Sequence, residues 1–478
     1  MNLAVTCVLA LAAIPLLKAN PPMREPPSNP AVEHAFDEAL RQSYEQLFAT
    51  AAGLEFSKPQ IERRRKFEGQ AGGDCREKFK TLEKRFENRG SDLEKDLKRR
   101  TRSLSDTERS GIRCEILECR ARRAQADHFQ STVIPNAYAN RIAKLTLIEE
   151  WPAEELRIAE ALRSGEYRNR RWADVKDIGF RGVGDGQEKD IKKGSEAIEE
   201  MRRNGMLPRT LTDSEVTSYV NGLAETIAAH SDLRAPVKVT LLDSPEVNAF
   251  ALPGGFLFIN RGLLEAVESD SQLAGVIAHE ISHAAARHGH RLMRRATIAS
   301  IFYQAAQVAA LVFTGGAGIG TYYAMQYGFY GLGLVLSLDL LGVSRDFELE
   351  ADQLGIQYAW NAGYDPRGFI QFFDRMATRE GYIRGASWFR THPPFYERMV
   401  HSEREIRFLP PREQWMVRTT AFDAMRDRLR TLPVPKGPPV PGRTHGKTPS
   451  LSAPSLDCPK PKLDYSDNDP LEKLCAPL

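Results

Sequence analysis

His279-Glu280-Ile281-Ser282-His283 sets two imidazoles four positions apart, with a carboxylate beside the first. On a helix that spacing turns both rings onto one face, where both reach a single Zn2+ at about 2.0–2.1 Å. Glu280 lies beside that face and is suited to take a proton from a zinc-bound water as it attacks a carbonyl. It would then pass that proton to the leaving amine. The run from Leu273 to Ala278 makes the helix otherwise apolar, and Ser269-Asp270 supplies its N-cap. Three ionisable side chains on such a helix would be costly to bury without a metal.

A catalytic zinc needs a third protein ligand and an open position. The longer metzincin pattern requires glycine and histidine where this chain has Ala286 and Gly289, so that chemistry is excluded. A later glutamate remains, in Glu348-Leu349-Glu350-Ala351-Asp352. Glu348 and Asp352 share a helix face, so one carboxylate can bind metal while the other orients a ligand histidine; Glu350 points elsewhere.

In order along the chain stand NAFALPGG at 248–255, LAGVIAHEISH at 273–283, SRDFELEAD at 344–352, and THP at 391–393 followed by Arg398. These motifs resemble the CAAX prenyl protease/HtpX/BepA family of zinc gluzincins, and their ordered set is far more specific than HExxH alone. The resemblance implies one Zn2+ per chain held by His279, His283 and Glu348. It also implies Glu280 as general base, Asp352 hydrogen-bonding behind a ligand, and His392 and Arg398 near the developing oxyanion. It runs from about Asp185 to Phe408, without the tetratricopeptide repeats of one branch of the family or the several membrane spans of another.

The elements that must position these residues point to an α+β, mostly helical fold: a gluzincin domain with a small sheet, preceded by a helical accessory domain. Strand signals occur at Val237–Leu241, Ala249–Leu252 and Phe256–Ile259, with Pro253-Gly254-Gly255 as a turn. Asn248, Ala249, Phe250 and Ala251 would pair with extended peptide along a sheet edge, selecting main chain more than side chain. The expected organisation is a signal peptide at 1–19, a proline-rich linker at 20–30 and a charged helical domain at 31–164. The metalloprotease domain follows at 185–408, then a helical extension at 409–432 and a proline-rich tail at 433–478.

A chain of 478 residues has room for more than one domain. Its 66 basic and 63 acidic residues are too balanced for nucleic acid to be the main partner. The apolar run Leu3–Leu17 reads as a secretory h-region, which directs the chain to a periplasm or cell envelope. There Cys75, Cys114, Cys119, Cys458 and Cys475 are free to oxidise, with Cys458–Cys475 the expected local bridge and one thiol left over. From Ala296 to Leu338 no Asp, Glu, Lys or Arg occurs. The segment 298–343 is expected to form a helical hairpin that caps the site or contacts a membrane peripherally, not a true span. The expected activity is zinc-dependent endoproteolysis of unfolded or misassembled envelope polypeptides. The alternative is a chaperone or assembly factor with secondary protease activity.

Overall fold

The computed structural model describes residues 29–100, 102–203, 207–293, 344–379, 396–433, 458, 463, 465 and 470–476. The expected signal peptide, most of the linker, the segment 298–343 and His392 lie outside the described residues. Residues 1–41 and 42–478 form separate units. In the first, helix α1 (Pro30–Arg41) is capped by Asn29, whose Oδ1 accepts from the Ala31 N–H. Glu33 in its first turn and Arg41 in its last complement the helix dipole.

The second unit opens with α2 (Tyr44–Thr50) and α3 (Lys58–Arg100). A capping box at Ser105 and Glu108 then starts α4 (Asp106–His128), which passes through one π-helical segment at Phe129–Val133 into α5 (Ile134–Ser164). The chain returns along α3 as an antiparallel hairpin. Its pairs run in register: Arg65 with Glu149, Arg141 with Glu68, Phe79 stacked on Phe129, and Arg120 with Glu94. Most of its long charged side chains face water, while Phe79, Leu82, Phe129 and Ile134 close an apolar core. Each such burial contributes about 1.5–3 kcal/mol.

The site half is built from α6 (Asp190–Arg203), α7 (Ser214–Ala229), a three-stranded sheet and the helices that follow. Strand β1 (Lys238–Leu242) pairs in parallel with β3 (Phe256–Asn260), and β3 pairs antiparallel with β2 (Ala249–Leu252). The order β1-β3-β2 leaves β2 at an edge. Gly254 and Gly255 make the β2–β3 turn at φ values of 89° and 85°, a region that favours glycine. After α8 (Arg261–Ala266) comes α9 (Asp270–Ala285), whose N-cap Ser269 accepts from the Gln272 N–H. Nearly every residue of α9 is buried, with α7, β2, α11 (Ser344–Asn361) and α12 (Arg367–Arg379) packed around it. The short α10 (His288–Met293) follows α9 directly.

Helix α11 crosses α9 at Gly355, where an added Cβ would lie 2.9 Å from the His279 nitrogen. Only glycine permits that approach, and it brings the carboxylates of α11 against the histidines of α9. Helix α13 (Tyr396–Phe408) closes the far side of α11. In the region 409–432 the helix α14 (Thr420–Thr431) begins at the Thr419 cap and packs Phe422 against Tyr219 of α7. Among the described residues no helix is long and apolar enough to cross a membrane.

The tail departs from expectation. Cys458 and Cys475 do not bond each other: Cys75 bonds Cys475 and Cys114 bonds Cys458, at sequence separations of 400 and 344. Cys119 keeps its thiol. The physical reason is the hairpin's apolar core, which takes in Leu474 and the edge of Tyr465 against Phe79 and Phe129. Lys78 Nζ donates to the carbonyls of Leu474 and Ala476, and Gln125 Nε2 donates to that of Tyr465. A segment read as structureless is docked at these points, delivering its two cysteines to different helices.

Candidate metal centre

Four-residue spacing on α9 stacks His279 and His283 one turn apart, with Nε2 atoms 3.0 Å from each other. Glu348 of α11 reaches both, Oε2 at 3.5 Å from His279 Nε2 and Oε1 at 3.5 Å from His283 Nε2. The donor atoms of these three residues all lie within 4.8 Å of one another. A tetrahedral ion with bonds of about 2.0–2.1 Å has donor–donor edges of about 3.3 Å, so two imidazoles and one carboxylate at this separation fit Zn2+. Glu280, next to the first histidine, is 2% exposed and enclosed with the cluster.

The support behind His279 is a carboxylate and a guanidinium. Asp352 Oδ1 lies 3.0 Å from His279 Nδ1, on the side of the ring away from the cluster that Nε2 faces. Arg398 of α13 grips Asp352 through Nε at 2.7 Å and Nη2 at 2.6 Å, while its Nη1 lies 2.9 Å from Glu348 Oε2. Burial opposes charge on Asp352, but the Arg398 guanidinium and His279 overcome it and hold its carboxyl below the usual range. Arg398 is itself 1% exposed and, against the cost of burial, stays charged through Asp352 and Glu348. The family resemblance implies Arg398 near an oxyanion; in the structure its guanidinium contacts Asp352 and Glu348.

The structure thus brings His279, Glu280, His283, Glu348, Asp352 and Arg398 together. Asn248, Ala249, Phe250 and Ala251 occupy or adjoin the edge strand β2, which packs on α9. Glu350 is on another face of α11, away from the three donor atoms, as its register predicts. It is not idle there. Two residues assigned no role from sequence accompany it: His288, whose Nδ1 lies 2.8 Å from His283 Nδ1, and Arg291. The available signal was His288 itself. It stands one residue from Gly289, the position where the metzincin pattern requires histidine, and was set aside for that reason.

Helix α9, the sheet and helix α11 together place an HExxH pair of histidines against a downstream glutamate. Residues 210–406 match the model of peptidase family M48, and this part of the chain is similar to that family. The chain is 28% identical over 213 residues to the beta-barrel assembly-enhancing protease of Yersinia pestis, covering 43% of this chain and 41% of that protein. It is 27% identical over 250 residues to the protein of the same name from Escherichia coli K12, covering 51% and 48%. It is also 32% identical over 187 residues to the mitochondrial metalloendopeptidase OMA1 of Schizosaccharomyces pombe, covering 38% and 51%. The chain therefore spans about half or less of the length of these relatives.

Proposed function

We propose that the chain is a zinc-dependent endopeptidase that hydrolyses peptide bonds of unfolded or misassembled envelope proteins. The observation that carries the reading is the convergence of His279, His283 and Glu348 within 4.8 Å beside a buried Glu280. When bound, zinc supplies Lewis acidity, polarising a carbonyl and lowering the pKa of a water. The remaining roles belong to the protein. Glu280 accepts the proton of the attacking water and returns it to the departing nitrogen. Asp352 keeps His279 in one tautomer, and Arg398 holds Asp352 and Glu348 in place. The strand β2, with Asn248 just before it, lays an extended substrate alongside α9 by main-chain pairing. On the motif alone, His392 is assigned to the oxyanion.

The envelope substrate class follows from the names of the bacterial relatives, proteases that enhance beta-barrel assembly. An exported location agrees with the leader read at 1–19 and with two disulfides in the structure. In this reading residues 31–164 are an accessory region that presents or recognises substrates.

The test is Glu280→Gln. It is expected to keep the metal, measured by elemental analysis, and to lower cleavage of an unfolded reporter protein by about 100-fold or more. Undiminished cleavage with zinc retained would end the mechanism. If assembly of a client in cells survives that loss of cleavage, the chaperone reading gains over the protease one.

A further inference from the structure

The two ligand histidines are backed differently. His279 rests directly on a carboxylate, whereas His283 Nδ1 meets a second imidazole, His288 Nδ1, at 2.8 Å. If His283 Nε2 is to offer a lone pair to a metal, its proton sits on Nδ1 and is donated to His288 Nδ1. His288 Nδ1 is then the acceptor, and its proton sits on Nε2, which faces Glu350 Oε2 at 3.3 Å. The same carboxylate oxygen accepts from Arg291 Nη1 at 2.9 Å. Along His283–His288–Glu350–Arg291 the geometry is continuous: His283 turns Nδ1 to His288 and Nε2 to the cluster, and His288 turns Nε2 to the carboxylate that Arg291 holds.

The backbone is bent to make this contact. Helix α9 ends at Ala285, and Arg287 adopts φ of 56°, a left-handed conformation that a non-glycine residue holds only when its surroundings fix it. Those surroundings are present: Arg287 Nε and Nη2 donate to Asp190 at 2.6 and 2.9 Å, and Nη1 donates to the Asp185 carbonyl at 2.6 Å. The turn folds His288 back over His283. There its ring stacks on Phe347 with centroids 4.3 Å apart and planes 10° from parallel, and the Arg291 guanidinium also lies over Phe347 at 4.4 Å. His288 is 4% exposed, so water does not compete for its nitrogens.

We infer that His288 and Glu350 are positioning residues for the zinc site, acting through His283 to fix its tautomer and ring orientation as Asp352 does for His279. The inference rests on the zinc reading above and deepens it. It places the acidic residue between Glu348 and Asp352 in the centre's support, so that along one stretch of α11 Glu348 is a donor, Glu350 acts on His283 through His288, and Asp352 acts on His279 directly.

The experiment measures zinc dissociation from the full chain against a competing chelator, and the visible spectrum of the Co2+-loaded protein. The variants are His288→Phe, Glu350→Leu and Glu350→Gln. His288→Phe keeps an aromatic ring to stack on Phe347 but cannot accept from His283. It is expected to weaken zinc binding by about 10–100-fold and shift the Co2+ spectrum, with melting of the metal-free protein little changed. Glu350→Leu should do the same. Glu350→Gln keeps an acceptor and should restore most of the affinity. Should the phenylalanine variant fail to fold, Glu350→Leu carries the test with both imidazoles in place. Wild-type zinc affinity and an unshifted spectrum in Glu350→Leu would overturn the inference alone. A wild-type chain that takes up no zinc would overturn the underlying reading and the inference with it.

Discussion

The metal centre and the helical hairpin solve the problem of holding long helices together by opposite means. Around α9 the cohesion is polar and buried: Asp352, Arg398, Glu348 and His279 have almost no access to water, and each charge is matched by a neighbour. In the hairpin most charges are solvated pairs of small individual worth. The specific cohesion comes from an apolar core and two covalent links to the distant tail. A buried charge network is unforgiving, because removing one partner strands another. A tethered apolar seam degrades more gradually. Perturbing one region should therefore leave the other standing.

The largest effect is expected from Glu348→Ala, which removes a donor from the three-residue cluster. Zinc affinity should fall by more than the roughly 10–100-fold typical of an outer partner. Chelator competition measures it, and far-ultraviolet circular dichroism should show the hairpin unchanged. Retained zinc would mean that another residue completes the set.

Next comes Arg398→Met, which keeps the side chain's length but leaves Asp352 buried without its cation. A loss of about 3–5 kcal/mol is expected in denaturant unfolding, together with weaker zinc retention. Stability within experimental error of wild type would show that Asp352 finds another partner.

Replacing Cys75 and Cys475 together by serine tests the other side of the comparison. Unfolding of the hairpin should become easier by about 2–4 kcal/mol, with zinc content and affinity unaltered. A parallel fall in zinc affinity would show that the regions are coupled more tightly than their chemistry implies.

The smallest effect concerns His401, on α13 beside the network, with its ring edge-on to Trp172 at 5.6 Å. Desolvation pushes this imidazole down to about 4. An unfolded histidine titrates near 6.5, so between those values only the unfolded chain takes up this proton. The contribution is complete above about pH 6.5 and is lost progressively as the pH falls toward 4. His401→Phe should flatten that part of the stability profile relative to wild type. Identical slopes from pH 6.5 to 4 would refute the assignment.

What the sequence disclosed follows the same division. HExxH and the Glu348–Asp352 pair were legible because helical spacing alone decides which side chains share a face. The β2–β3 hairpin was legible because Pro253-Gly254-Gly255 marks a turn between apolar strands. Arg398 was singled out by its motif, but its place behind Asp352 depends on how α13 crosses α11, which no local pattern encodes. His288 was set aside for standing one residue from the metzincin position, and its contact with His283 depends on the left-handed Arg287, whose cause lies about a hundred residues earlier at Asp185 and Asp190. The cysteine pairing was misread because proximity in sequence favours Cys458–Cys475, while the tertiary burial of Leu474 and Tyr465 sends the two thiols to separate helices.

The disulfides also change what self-digestion of this chain would look like. Cys114–Cys458 lies nested within Cys75–Cys475, so a peptide-bond cut anywhere between 114 and 458 yields two pieces that remain doubly cross-linked. An autolysed sample would migrate near full length on a denaturing gel and separate into fragments only after a reductant is added.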